Sequence, residues 1–190
     1  RHGEAAASWG THPNPGLSDL GQKQAEAVIS TLSTFDICRI STSPMQRCQE
    51  TSDPFARFMG QSAEIEPRVT EIPTPSDIED RIPWLRALMA GTWGETPQLV
   101  KDWRSALIET VTSLPTGTVV FSHFIAINAL VGHVENRPEV TVFKPTYCSI
   151  TKFEASSNGL RLVERGAEAS TKVLAASSLE DLQRAPEHPY

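Results

Sequence analysis

Arg1, His2, Arg47 and His123 place imidazole and guanidinium groups in a chain of net charge −6. An anionic substrate would therefore need a local cationic pocket that overcomes the overall field. His123 directly follows the run TVVFS, so it stands at the end of a strongly apolar strand segment. Arg47 lies near the amino end of the helix expected after DICRIS. A planar, permanently charged fork beside the free N–H groups and positive dipole of a helix start suits phosphate. Each residue alone has an ordinary structural reading, as a strand-end histidine or a solvated helix arginine. Other phosphate chemistries fail on pattern: there is no GxxxxGK[ST] loop, and no cysteine precedes an arginine by six positions. The five histidines show no paired metal-ligand spacing.

These groups need elements to bring them together. Ser18 to Leu32 reads as a helix capped by Ser18, and Asp36 to Ser41 as a short strand. A second helix is expected from Ser43, with Ser43 as cap, Pro44 in the first turn and Gln46 completing a capping box. Met45, Cys48, Phe55, Phe58 and Met59 form its expected buried side. Ala63 to Glu66 reads as a third strand. From about 67 to 117 prolines, tryptophans and two helical patterns suggest an inserted helical cap. Thr118 to Phe121 reads as a buried parallel strand, followed by a helix from about Ile125 to Val134. Ser149 to Glu154 and Leu160 to Arg165 alternate around SSNG as an edge hairpin. The Ala/Ser-rich stretch from about 171 to 190 reads as a peripheral tail. With 190 residues and 39% hydrophobic content, one core is expected, hence a single domain over 1–190. The expected fold is a three-layer α/β/α sandwich with a mostly parallel sheet, which places ligands at the carboxyl ends of its strands. No apolar run reaches membrane-spanning length, and nothing in the charge favours nucleic acid. Three cysteines without a pairing pattern read as small buried residues and point to the cytoplasm.

Arg1-His2-Gly3-Glu4, then Leu17-Ser18-Asp19-Leu20-Gly21-Gln22-Lys23-Gln24-Ala25, then Ser43-Pro44-Met45-Gln46-Arg47 with Thr51, then Ser122-His123, occur in an order that resembles the histidine phosphatase superfamily. The likeness is to its phosphoglycerate mutase-like and broad-specificity phosphatase branch, and it runs from Arg1 to about Gly132. It implies that the family's first strand, which ends just before the Arg-His-Gly motif, lies upstream of Arg1. It also implies that His2 accepts the phosphoryl group, with a neutral ring tethered through its second nitrogen to a backbone carbonyl such as that of Gly3. Arg1, Arg47 and His123 would surround the phosphate. The cationic cluster would neutralise the charge that builds up, so neither metal nor cofactor is expected.

By the same resemblance, Val69-Thr70-Glu71-Ile72 matches the family's acid-bearing stretch, which makes Glu71 the candidate proton donor, with Asp77, Glu79 and Asp80 as rivals. The chain departs from the family where Pro73-Thr74-Pro75 replaces a glycine-containing run and where Phe124 follows His123. Phe124 would narrow or line the pocket. Asn14, within HPNPG, is a candidate substrate contact or ordinary turn chemistry. The tryptophans and Arg81 and Arg86 read more readily as packing and surface charge than as substrate contacts. The expected activity is a metal-independent phosphatase acting on small phosphomonoesters. The alternatives are a phosphoglycerate-type mutase and a phosphate-binding regulatory protein with little turnover. Oligomeric state is not indicated.

Overall fold

The structure, a computed structural model, describes residues 1–7 and 12–168. The expected tail from about 171 lies outside them. Three parallel strands form the main sheet: β1 (Arg39–Thr42), β2 (Glu64–Ile65) and β3 (Thr118–Phe121), in the order β2-β1-β3. Ile40 lies opposite Val119 and Thr42 opposite Phe121. Six helices accompany the strands among the described residues: α1 (Asp19–Ala27), α2 (Ile29–Leu32), α3 (Gln46–Met59), α4 (Arg81–Ala90), α5 (Gln98–Ser113) and α6 (Phe124–Val134).

Strand alternation assigns the two faces. Val119 and Phe121 pack with Leu32, Ile40, Cys48 and Phe55 against α2 and α3. Val120 points the other way, onto a cluster in which Val69, Leu85, Trp103, Leu107, Ile125 and Leu130 meet. Helices on both faces give the three-layer α/β/α arrangement. The segment expected as a cap contributes α4 and α5 to the same cluster as α6. Trp93 and Trp103 are buried within it, their ring centroids 6.4 Å apart.

Several local expectations are corrected. The first helix is interrupted at Val28, although Val28 N–H still makes the helical bond to the Gln24 carbonyl, and resumes as the short α2. Strand β1 starts three residues later than DICRIS suggests. The second helix begins at Gln46, and Ser43 does not cap it. Ser43 Oγ instead accepts from Met45 N–H at 3.2 Å and bonds His123 at 2.7 Å. The first N–H of α3, that of Gln46, goes to Asn14 Oδ1 at 2.9 Å, and the Gln46 side chain reaches Glu50. Phe58, expected inside, is exposed and stacks on the outer side of Phe55. Cys48 is buried, but Cys38 is exposed and Cys148 half-buried.

The hairpin, β4 (Lys152–Ser156) and β5 (Gly159–Glu164), forms a separate antiparallel sheet and does not extend the edge of the main one. A crevice of about 460 Å³, lined in part by Val119, Phe121, Ile150, Phe153 and Leu160, separates it from β3. Thr118, Val119 and Val120 are half-buried beside it. No helix among the described residues is long and apolar enough to cross a membrane.

Candidate active site

The carboxyl ends of β1 and β3 deliver the site. After Phe121 the chain turns into α6. The Ser122 carbonyl accepts the His2 N–H at 3.0 Å, and the Ser122 hydroxyl donates to the Val69 carbonyl at 2.7 Å. Ser122 thus joins the segments carrying His2, His123 and Glu71. From the other side, Gly3 N–H donates to Thr51 Oγ1, which itself donates to the Arg47 carbonyl. One hydroxyl on α3 therefore sets the spacing between His2 and Arg47.

His2 is 5% exposed. Its Nδ1 lies 2.7 Å from the Gly3 carbonyl oxygen. A carbonyl only accepts, so Nδ1 carries the proton and Nε2 is the unprotonated nitrogen that keeps a lone pair. Arg47 Nε donates to that Nε2 at 3.2 Å. Burial lowers the His2 pKa to about 3; the Gly3 bond opposes the shift, and Arg47 and Arg1 reinforce it. The ring is therefore neutral at ordinary pH, as a nucleophile must be.

Arg47, on the first turn of α3, is buried. Its Nη2 lies 3.1 Å from His123 Nδ1, and His123 Nε2 lies 2.7 Å from Ser43 Oγ. Since the guanidinium can only donate, His123 Nδ1 accepts and its Nε2–H donates to Ser43. His123 has no exposed surface, and burial holds its pKa well below the usual histidine range. The two imidazole centroids are 5.3 Å apart, in an edge-on arrangement. His123 thus stands behind Arg47 and orients it.

Arg1 donates from Nη1 to the Pro145 carbonyl at 2.7 Å. Its guanidinium carbon lies 4.0 Å from the Tyr147 ring centroid and 5.3 Å from that of Phe124. Arg1 Nε is buried without an acceptor among the described residues. A buried charged donor is a costly group to leave unpaired, and an anionic oxygen would satisfy it.

Glu71 is half-buried, and burial raises its pKa; the Ile72 N–H bond and the charges of Arg47, Arg81 and Arg1 oppose that shift. Its rivals Asp77, Glu79 and Asp80 are all exposed, and Asp80 is engaged as the cap of α4. Arg81 is half-buried and donates to Thr74, whereas Arg86 is exposed. Phe124 packs beside Arg1, and Asn14 occupies the amino end of α3.

The structure thus gathers His2, Arg47 and His123 in direct contact, with Arg1 and Glu71 electrostatically coupled to them. Ser43 and Tyr147 were missed by sequence reasoning. Ser43 was visible as a cap candidate, but Tyr147 lies outside every motif and arrives only through the loop after Phe143. Among the described residues no group of three or more His, Cys, Asp or Glu side chains converges as metal ligands.

Residues 1–168 match the family described as the histidine phosphatase superfamily, branch 1. A protein of Cronobacter sakazakii named "Probable phosphoglycerate mutase GpmB" is 26% identical, and the match covers 97% of each chain. Among solved structures, Bacillus stearothermophilus YhfR superimposes with a TM-score of 0.70 at 19% identity, over 90% of this chain and 95% of that one. A mycobacterial glucosyl-3-phosphoglycerate phosphatase, determined with VO3, gives a TM-score of 0.64 at 21% identity, over 89% and 96%. At these identities the two structures speak for the fold.

Proposed function

The chain belongs to the histidine phosphatase superfamily, and we propose that it is a metal-independent phosphatase acting on small phosphomonoesters through a phosphohistidine at His2. The observation that carries this reading is the His2 ring, whose Nδ1–H is tied to Gly3 while its Nε2 faces Arg47. Neutral His2 attacks phosphorus; the N–P bond forms as the P–O bond to the alcohol breaks. Charge on the equatorial oxygens is met by Arg47 and Arg1, with neutral His123 holding Arg47 from behind. Glu71, its pKa raised by burial, gives its proton to the departing oxygen. Water then attacks the phosphohistidine, and the Glu71 carboxylate takes a proton from that water. The N–P bond breaks, orthophosphate leaves, and His2 returns neutral. Asn14 now holds the Gln46 N–H at the amino end of α3. A phosphate oxygen reaching that end would compete for it. Phe124 lines the wall beside Arg1.

The second reading, a mutase, draws on the name of the Cronobacter relative. A mutase retains the phosphohistidine and returns the phosphoryl group to another hydroxyl. Turnover of an aryl phosphate and of alkyl phosphates, with orthophosphate release measured, tests both. His2→Ala is expected to fall to background on every substrate; unchanged turnover would end the proposal. Glu71→Gln should lose roughly 10²–10⁴-fold on alkyl phosphates and much less on aryl phosphates, whose leaving groups need no proton. Equal losses on both would move the acid role to Asp77, Glu79 or Asp80. Efficient phosphoglycerate interconversion without phosphate release would favour the mutase.

A further inference from the structure

Arg1 sits against Tyr147, and the loop that carries Tyr147 is held at several points. Asn128, fully buried on α6, accepts from Val142 N–H at 2.8 Å and Phe143 N–H at 3.0 Å, while its amide donates to the Phe124 carbonyl. Further along, Thr146 N–H bonds the Ala167 carbonyl at 2.8 Å, and Pro145 bridges to Glu168. The loop then passes through Cys148 at φ 53°. A residue with a side chain adopts this left-handed conformation only at a cost, and it is retained here beside the candidate site. The turn is closed by Ser149 N–H on the Thr146 carbonyl, and the Arg1 backbone nitrogen donates to the Ser149 carbonyl. Two features of this anchored loop meet the Arg1 side chain: the Pro145 carbonyl at 2.7 Å from Nη1 and the Tyr147 ring at 4.0 Å from the guanidinium carbon. The Tyr147 ring also lies 6.0 Å, centroid to centroid, from His2 and is 37% exposed.

We propose that Tyr147 is a positioning residue that holds the Arg1 guanidinium face-on, so that the edge not bound to Pro145 is aimed at the phosphoryl group on its way to His2. The inference rests on the phosphoryl-transfer reading above and adds a residue that lies outside the motifs. A face-on ring leaves the in-plane N–H groups of a guanidinium available, because it uses the π face and not a donor. Without the ring, the long side chain would regain rotamer freedom and lose much of its aim. Because Asn128 is built into the same helix that begins beside His123, the loop and the imidazole cluster are referenced to one rigid element.

The experiment compares Tyr147→Leu, Tyr147→Phe and Arg1→Lys in the intact protein, using calorimetric binding of orthophosphate together with aryl phosphate kinetics. Tyr147→Leu should weaken orthophosphate binding roughly tenfold, the order expected for a partly desolvated cation–π contact. KM should rise by a similar factor, with a smaller change in kcat. Tyr147→Phe keeps the ring and should stay within about twofold of the parent. In the Arg1→Lys background, Tyr147→Leu should cost much less than it does alone, since the geometry being held is already lost. Orthophosphate affinity unchanged in Tyr147→Leu would overturn the inference. A Phe variant as impaired as the Leu variant, or full additivity with Arg1→Lys, would do so too. Binding is read independently of turnover. Full activity of His2→Ala would therefore sink the phosphohistidine reading, whereas a neutral Tyr147→Leu would sink the positioning role alone.

Discussion

His2 must be buried enough to stay dry and neutral, yet keep one nitrogen unprotonated for attack on phosphorus. Burial supplies the first condition, and the Gly3 carbonyl, by taking Nδ1–H, supplies the second. The arrangement carries a stability cost in acid. In the unfolded chain a histidine takes up a proton near pH 6.5, whereas His2 in the fold stays neutral down to about pH 3. Between those values the unfolded state binds more protons, so stability falls as pH falls. The slope approaches about 1.4 kcal/mol per pH unit for one such histidine. His123, also held neutral by burial, contributes in the same direction. Thermal unfolding followed from pH 7 to pH 5 should therefore show a steep decline in the parent protein. A His2→Gln variant should decline less steeply, and identical slopes would show that His2 does not carry this acid sensitivity. Bound orthophosphate supplies negative charge at the site and should reduce the decline in the parent.

Helix α1 shows why a motif glycine distant from the chemistry belongs with it. A Cβ added at Gly21 would lie 2.0 Å from the Glu4 carbonyl oxygen, and one added at Gly3 would lie 2.7 Å from the Gly21 carbonyl oxygen. The helix therefore packs backbone to backbone on the segment that carries His2. Gln24 Oε1 accepts the Glu4 N–H at 2.8 Å, and Ser18 Oγ donates to the Glu4 carboxylate while accepting the Gly21 N–H as the cap. Gly21→Ala must push α1 away, and overpacking of this kind costs about 1–3 kcal/mol. We expect a lowered Tm together with a kcat loss larger than a stability change alone would give, because the displaced helix moves His2. A fall in Tm with kcat preserved would show that the segment is positioned from elsewhere. The Ser18 cap and the order of the motifs were legible in the sequence because capping and helical spacing are local. The cap of α3 was not: the local candidate Ser43 is drawn away by His123, and Asn14, 32 positions before Gln46, accepts the first helical N–H instead. Tyr147 was illegible for the same reason, since its partner is at the other end of the chain.

At the scale of the molecule, the segment expected as a cap is part of the main core, and this bears on how the proton donor is held. Val69 and Ile72 flank Glu71 on either side, and both are buried in the cluster that contains Leu85 of α4, Val100, Trp103 and Leu107 of α5, and Ile125 and Leu130 of α6. Glu71 thus lies on a stretch pinned by apolar contacts from three helices, one of which starts beside His123. The three-layer fold was legible in the alternation of strands and helices. The shared core was not, because the texture of prolines and tryptophans from 67 to 117 looks separate when its partners are out of sight. Leu85→Ala would remove a fully buried side chain from α4. It should cost about 2–5 kcal/mol of stability, depending on how far the surrounding helices close in. If the cluster is one cooperative unit, tryptophan fluorescence in a Trp9→Phe background, which reports Trp84, Trp93 and Trp103, and far-ultraviolet circular dichroism should lose signal in a single coincident transition. Below that transition, loosening the bed of Glu71 should slow alkyl phosphate turnover more than aryl phosphate turnover, as a milder version of Glu71→Gln. An early, separate loss of tryptophan signal would mean that α4 and α5 melt independently of the sheet. In that case the position of Glu71 would depend on contacts to α6 and on the Ser122 hydrogen bond to the Val69 carbonyl.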